Sequence, residues 1–536
     1  MFYKEDKVNM LIGLLKEYNV ENVVLCPGSR NAIIANNLLE DDSFNCFPVT
    51  DERSAGFFAL GLSIGMNPSA IVVTSGSALL NVAPAVVEAY YQKVSPIVIS
   101  ADRPQEDIGQ NVGQTMRQYG ALDNFVVCSV NLTDAMGDNT YYHNRLICEA
   151  LAKSDEYKRP VHINVPLPSP AECEQVENLP PIPYNYISVP EADCSVDDIK
   201  CVVDEMLSAR RPMIVLGQES ATQVLHDELD VLKKYVVVLS EPLGDIYARP
   251  YAGIIDSMPD SMLPDFILYI GGTTVCRSIN SRFASIPDLK VWRVDKSGEF
   301  TSPFRRLDGV LRCYAYDFIQ IASNYLKNRL VVHSTFYEEW QEAFANEIQR
   351  LMSIDENVLT AATTVKYFEE QLEDMDYDCK VHYGNSTAVR LACQYASGHA
   401  VYCNRGINGI EGSLSTAAGH AVICEGMQNV FCVLGDLSFF YDQNALWNSN
   451  LSGNLRIIIL NNHHGGIFDK VKGLENCSER DRFVAGRHSA DARGICTQND
   501  IGYLSAKTVD EMHLGIVTLL TAESERPMVL EVMINN

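Results

Sequence analysis

No run of about 18 apolar residues, the length a membrane-spanning helix needs, occurs in the 536-residue sequence. The first residues, Met1-Phe2-Tyr3-Lys4-Glu5-Asp6-Lys7, place charges where a signal peptide carries an apolar stretch, so a cytoplasmic location is expected. Basic residues are scarce: 42 Lys and Arg stand against 69 Asp and Glu, a formal net charge of −27. That sign repels phosphate backbones and anionic lipid surfaces, so no nucleic-acid or membrane partner is expected. It also opposes anionic substrates, which would need a few arginines to reverse the field locally. No Cys-x-x-Cys pair occurs among the 16 cysteines. Several, such as Cys424 and Cys432, fall in apolar strand-like segments, and buried reduced thiols are expected rather than disulfides or a zinc site. No Gly-x-Gly-x-x-Gly precedes Asp295, which ends a strand-like run as a ribose-binding acid would, so a dinucleotide site lacks its fingerprint.

What is present is globular material. Hydrophobic residues make up 47% and charged residues 21%, too apolar a balance for disorder. At roughly 150 residues per domain the length suggests three or four domains. Short β-branched runs alternate with helical patterns, the pattern of an α/β protein with mainly parallel sheets. Strands are expected at 22–26, 70–74, 96–100 and 161–165, then at 212–216, 236–240, 266–270 and 291–295, and finally at 380–383, 430–434, 455–460 and 528–533. Four prolines mark 179–190 as a linker, and an acidic helical stretch begins near 336. The expected division is 1–178, the linker 179–190, 191–335 and 336–536.

The outer blocks echo each other. Placing Glu52 on Glu411, 359 residues on, also places Gly76 on Gly435 and Asp102 on Asn461, each after an apolar strand. Chance matches apolar strands easily but keeps their turns in phase less readily, so two related α/β domains are expected to flank a third.

The last block holds Gly435-Asp436-Leu437-Ser438 and, 26 residues beyond Asp436, Asn462 within Asn461-Asn462-His463-His464-Gly465-Gly466. A strand that ends in Gly-Asp and opens a helix puts a carboxylate and backbone N–H groups where a diphosphate and its cation can be held. Magnesium wants hard oxygen ligands: the Asp436 carboxylate, the Asn462 side-chain oxygen, the His464 backbone carbonyl, phosphate oxygens and water. Either dipeptide alone is common in turns. Together, each after a buried strand, they indicate a Mg²⁺-diphosphate site.

This pattern resembles the thiamine-diphosphate enzymes, whose pyrimidine-binding and diphosphate-binding domains are related, so the resemblance accounts for the echo. The implied fold is three domains, each a mainly parallel sheet flanked by helices: a pyrimidine domain, a central Rossmann-like domain and a diphosphate domain. The resemblance also implies that Glu52 hydrogen-bonds N1′ of the aminopyrimidine, best done in a dry, apolar setting. Asp51-Glu52-Arg53 also reads as an acidic first turn favoured by the helix dipole.

Further segments narrow the branch: Cys26-Pro27-Gly28-Ser29-Arg30, Asp51-Glu52-Arg53-Ser54-Ala55-Gly56, Thr74-Ser75-Gly76-Ser77, Ala101-Asp102-Arg103-Pro104, Gly384-Asn385-Ser386, Asn404-Arg405-Gly406 and Gly435-Asp436-Leu437-Ser438. Together they are similar to the SEPHCHC synthase branch, which serves menaquinone biosynthesis, through both outer blocks and less in the middle one. The resemblance implies decarboxylation of 2-oxoglutarate and conjugate addition of the succinyl carbanion equivalent to isochorismate, with thiamine diphosphate and Mg²⁺, Mn²⁺ being able to substitute. Both substrates are dianions, which calls for bidentate arginine donors. By the resemblance Ser29, Arg30, Arg103 and Gln114 line the isochorismate side, and Ser386, Arg390 and Arg405 the oxo-acid side. Gly384, Ser386, Gly435, Leu437 and Ser438 belong to the cofactor cradle, Gly409 faces the aminopyrimidine and Ile410 props the thiamine, although Ile410 also reads as plain helix core. Ile467 and Phe468 are expected to wall the pocket.

Three departures stand out. His463-His464-Gly465-Gly466 replaces a polar residue and glycines, so the His464 ring must point away from the metal. Val112-Gly113-Gln114 replaces an asparagine-glutamine pair, and a middle-domain basic pair is reduced to Arg277 before Ser278. The arginines and the absence of flavin-site signals argue against an acetohydroxyacid synthase or a simple 2-oxo-acid decarboxylase. The presence of Glu52, Asp436 and Asn462 argues against a non-catalytic relative. The resemblance further implies a homodimer or a dimer of dimers with active sites at the subunit interface.

Overall fold

The computed structural model describes the chain except residues 65–66, 135–138, 182, 188–193, 224, 376–377, 475–476 and 535–536. Residues 182 and 188–190 of the expected linker thus lie outside the described residues.

The first sheet contains β1 (Asn22–Leu25), β2 (Asn45–Pro48), β3 (Ser69–Val73), β4 (Ile97–Asp102), β5 (Cys128–Asn131) and β6 (Val161–Pro166). Its order is β2-β1-β3-β4-β6-β5, and every pairing is parallel. The central sheet contains β7 (Pro212–Leu216), β8 (Val237–Ser240), β9 (Phe266–Ile270), β10 (Lys290–Val294) and β11 (Gly309–Leu311), in the parallel order β8-β7-β9-β10-β11. The last contains β12 (Cys379–Tyr383), β13 (Ala400–Tyr402), β14 (Asn429–Gly435), β15 (Leu455–Asn461), β16 (Gly502–Ala506) and β17 (Met528–Met533). Its order, β13-β12-β14-β15-β17-β16, repeats the first sheet position for position. The echo is therefore a duplicated topology, and Asp102 and Asn461 are the last residues of the corresponding strands β4 and β15.

Inner strands such as β3, β4 and β15 are buried along their whole length, which is why each carries a core apolar run such as Ile457-Ile458-Ile459-Leu460. Within these three sheets, the strands that sequence patterning passes over are β2, β5, β11, β13 and β16. Each lies at a sheet edge, half-buried, where a continuous apolar run is not required.

The two six-stranded sheets meet through the helices Glu52–Leu62 and Ser413–Ile423. Glycines set their separation: a Cβ on Gly61 would lie 2.1 Å from the Thr416 carbonyl oxygen, and one on Gly419 would lie 2.1 Å from that of Phe58. Phe58, Ala59 and Leu62 join Leu414, Ala417 and Ala421 in one apolar cluster that continues into both sheets. The helix Thr335–Met352 instead packs Phe336, Trp340 and Phe344 into the core of the central sheet, with Trp340 Nε1 donating to the Met262 carbonyl at 3.1 Å.

Asp295 is not arranged as a ribose ligand. Its carboxylate is buried between Lys93 Nζ at 2.6 Å and Arg293 Nη2 at 2.7 Å. Burial alone would raise its pKa, but these two cations hold it well below the usual carboxylate range. The pair fastens the first sheet's layer to the central one, beside a bidentate Arg159–Glu299 bridge with both contacts at 2.6 Å. All 16 cysteines are free thiols; Cys432 lies in β14, whereas Cys424 caps the Ser413–Ile423 helix rather than lying in a strand. Among the described residues no helix is long and apolar enough to cross a membrane.

Candidate active site

The expected diphosphate side lies where β14 ends. Gly435 closes the strand and Asp436 opens the helix Asp436–Tyr441. Among the described residues a Cβ on Gly435 would meet nothing within 4 Å, so the backbone is open there. The Asp436 carboxyl is buried, which pushes its pKa up, against the opposing pull of the Leu437 N–H and of His488. Oδ1 accepts from Leu437 N–H at 2.8 Å, and Oδ2 lies 3.1 Å from His488 Nε2. Ser438 Oγ donates to the Ile410 carbonyl at 2.8 Å, tying the helix to the segment before Ser413–Ile423. Ile410 itself is 37% exposed and precedes that helix, so it is not helix core.

Asn462 follows β15, and among the described residues its side-chain amide has no hydrogen-bond partner. Both ring nitrogens of His464 are engaged: Nδ1 lies 2.8 Å from the Asn462 carbonyl and Nε2 lies 2.8 Å from Asp469 Oδ2. His463 takes φ +63° and donates its N–H to Asn461 Oδ1 at 3.0 Å. Ile467 and Phe468 follow in the turn Gly466–Lys470, half-buried, with the Phe468 ring covering Gly465.

Glu52 is the first residue of its helix. Asp51 caps that helix, its Oδ1 accepting from Arg53 N–H at 2.9 Å and Ser54 N–H at 3.2 Å. Glu52 is half-buried, and its Oε2 accepts from Asn81 Nδ2 at 3.1 Å. Arg53 Nη2 donates to the Tyr441 carbonyl at 2.7 Å and Asn444 Nδ2 donates to Asp51 Oδ2 at 2.6 Å. Those contacts anchor the Glu52 helix at the end of Asp436–Tyr441 opposite Asp436.

Two arginine groups emerge. Arg30 donates to the Leu167 carbonyl at 2.9 Å, and burial, then the neighbouring charge of Arg103, lowers its pKa. Arg103 has a buried Nε with no partner among the described residues. Ser29 and Gln114 are exposed nearby in sequence, Gln114 at φ +58° with its backbone against Gly76. Beneath them lies a buried polar network: Gln118 accepts from Gly76 N–H at 2.7 Å and donates to Asn164 at 3.0 Å, and Asn164 donates to Asp102 at 3.0 Å.

The second group surrounds the turn after β12. Gly384 fits there because a Cβ would come 2.9 Å from that of Leu434, and Ser386 takes the strained value φ +79°. Arg390 Nη1 donates to the Ser386 carbonyl at 2.9 Å. Arg405, 2% exposed, donates to Asn385 Oδ1 at 3.1 Å and to the Thr274 carbonyl at 3.0 Å, and its Nε is buried without a partner among the described residues. Burial lowers the Arg390 pKa, followed by the charges of Arg405 and Arg277, so the central sheet's layer brings Arg277 close to this group. Asn385 Nδ2 donates to the Gly409 carbonyl at 2.6 Å and to that of Asn404.

Sequence reasoning passed over Asn385 as a hub, His488 on Asp436, and the Gln118–Asn164 network. Asn385 lies within Gly384-Asn385-Ser386; the others have no local signature. A buried carboxylate, an uncommitted Asn462 amide and open backbone at Gly435 fit a cation and diphosphate, and orphaned guanidinium nitrogens fit carboxylate ligands.

A family model described as "Thiamine pyrophosphate enzyme, N-terminal TPP binding domain" matches residues 7–121. A Bacteroides thetaiotaomicron protein named 2-succinyl-5-enolpyruvyl-6-hydroxy-3-cyclohexene-1-carboxylate synthase is 33% identical over 100% of this chain and 97% of its own length. The chain belongs to the SEPHCHC synthase family. Proteins of the same name from Bacteroides fragilis, 35% identical over 100% of this chain and 97% of theirs, and Phocaeicola vulgatus, 34% over 99% and 96%, agree. As a SEPHCHC synthase relative along its whole length, the chain is a thiamine-diphosphate-dependent enzyme, and the acetohydroxyacid synthase alternative is set aside.

Proposed function

We propose that the chain decarboxylates 2-oxoglutarate and adds the succinyl carbanion equivalent to isochorismate, giving SEPHCHC and CO₂ with the enolpyruvyl group retained. The observation that carries this reading is the pair of separate arginine groups, each with a buried guanidinium Nε that has no partner among the described residues, on Arg103 and Arg405. Two dianionic substrates need two such sites in a chain of formal charge −27.

Asp436, the Asn462 side chain and the His464 carbonyl would hold Mg²⁺ or Mn²⁺, and Gly435, Leu437 and Ser438 would hold the diphosphate. Bound thiamine diphosphate supplies the electron sink that a 2-oxo acid requires to lose CO₂. Glu52 holds the proton at N1′ of the aminopyrimidine, Gly409 and Ile410 shape its seat, and Ile467 and Phe468 keep water from the reacting carbon. Arg390 and Arg405, with Ser386, orient the oxo acid. Arg30 and Arg103, with Ser29 and Gln114, orient isochorismate.

The active unit proposed is a homodimer or dimer of dimers in the cytoplasm, with Glu52 and Asp436 meeting across the subunit interface. The anchoring of Arg53 and Asp51 to Tyr441 and Asn444, away from Asp436, supports a partner subunit completing the site. The domains proposed are 1–178, 191–335 and 336–536, joined first by 179–190.

Single-alanine variants test the partition. Arg30→Ala and Arg103→Ala are expected to raise the isochorismate KM, and Arg390→Ala and Arg405→Ala the 2-oxoglutarate KM, each by about 10- to 100-fold. Equal effects on both substrates contradict it.

A further inference from the structure

We propose that Glu88, on the helix Ala83–Gln92 beside the first sheet, is a positioning residue that fixes Arg405 for the 2-oxo-acid carboxylate. The proposal rests on the assignment of Arg405 to that substrate. Glu88 is 1% exposed, yet its two carboxylate oxygens both face backbone: Oε1 accepts from Gly406 N–H at 2.6 Å and Oε2 from Ile407 N–H at 2.9 Å. Two consecutive N–H groups held by one carboxylate fix the peptide planes directly after Arg405. The approach is close, since a Cβ on Gly406 would lie 2.4 Å from the Glu88 carbonyl oxygen.

The other side of the turn is held from the central sheet. Thr273 Oγ1 donates to the Arg405 carbonyl at 2.9 Å and Gln218 Nε2 to the Cys403 carbonyl at 2.7 Å. The guanidinium then reaches Asn385 and Thr274. Thus side chains from all three layers grip one turn, and Glu88 supplies the first layer's share from 318 residues away. Glutamine could not replace it: one oxygen would accept one N–H, while the amide NH₂ would oppose the other donor.

The charge is consequential as well. Burial pushes the Glu88 carboxyl up to about 7, against the two N–H groups and Arg405, which favour the ionised form, while Glu411 opposes it. Protonation places an O–H against a backbone N–H and releases one tether. The kcat/KM for 2-oxoglutarate should therefore fall as pH drops through about 7, whereas the isochorismate side, held by Arg30 and Arg103, has no such dependence on Glu88.

The test uses the full chain with saturating thiamine diphosphate and Mg²⁺. Glu88→Gln is expected to raise the 2-oxoglutarate KM about tenfold, to leave the isochorismate KM within about twofold, and to remove the acid limb of the 2-oxoglutarate profile. Calorimetric binding of glutarate, which lacks the keto group, should weaken by the same factor. Should Glu88→Gln fail to fold, Glu88→Asp, which keeps the charge, should retain a displaced acid limb. A Glu88→Gln variant with unchanged 2-oxoglutarate KM and profile, or a wild type without the limb, overturns the proposal. Arg405→Ala separates the two levels: if it leaves the 2-oxoglutarate KM unchanged, the assignment of Arg405 fails. If it raises that KM while Glu88→Gln does not, only the positioning role fails.

Discussion

Glu52 and Asp436, proposed to act at the aminopyrimidine and at the metal, sit in different environments. Glu52 sits half-buried with one amide donor from Asn81, while Asp436 is 2% exposed and committed to Leu437 and His488. Glu52→Gln should therefore retain thiamine diphosphate with an unchanged dissociation constant while turnover falls by about 10²-fold or more. Unchanged turnover would refute the role given to Glu52. Asp436→Ala, or dialysis against EDTA, should release the cofactor, measured as thiamine diphosphate retained through gel filtration; full retention would place the metal site elsewhere. At this scale the sequence was legible where a motif is contiguous with its strand, as at Gly435-Asp436 or Asn461-Asn462. It was silent on Asn385 as a hub, Glu88 and His488, because their partners lie 20, 318 and 52 residues away and only the fold brings them together.

Between elements, the decisive contact is that of the Glu52–Leu62 and Ser413–Ile423 helices, whose backbones approach as closely as glycine allows. Gly61→Ala and Gly419→Ala should each cost about 3 kcal/mol, because the added methyl meets backbone oxygen that no rotamer change can move. Gly494→Ala, where a Cβ meets nothing within 4 Å, is the control and should be neutral or slightly stabilising. Urea midpoints measure both, and equal midpoints for Gly61→Ala and wild type would contradict the packing argument. Inner strands were readable because burial on both faces demands an apolar run, and edge strands such as β13 and β16 escaped because one side is free of that demand. The helical stretch Thr335–Met352 was readable as a helix, but its docking on the central sheet was not. Its Phe336, Trp340 and Phe344 stripe states that a core is needed without saying which.

Over the whole molecule, acid sensitivity should follow from buried neutral histidines. Burial lowers the pKa of His420 to about 3, and that of its neighbour His382, 2.8 Å away, also falls well below the ordinary 6.5. The folded chain thus binds fewer protons than the unfolded one below 6.5, so this contribution to stability is lost as pH falls below that value. His420→Gln should be less stable than wild type near neutral pH by a margin that narrows toward pH ~5; a constant gap in unfolding midpoints would contradict the argument. The duplicated sheet order could be seen as an echo in sequence, since turns as well as strands keep phase. The net charge of −27 belongs to the chain as a whole, whose buried charged groups include carboxylates such as Glu88, Asp436 and Glu531 as well as Arg405. The most direct measurement is CO₂ release and substrate consumption with 2-oxoglutarate, thiamine diphosphate and Mg²⁺, in the presence and absence of isochorismate. The two substrates should be consumed one for one, and CO₂ release should depend strongly on isochorismate. Release of CO₂ at the same rate without isochorismate, or none with it, would contradict the account.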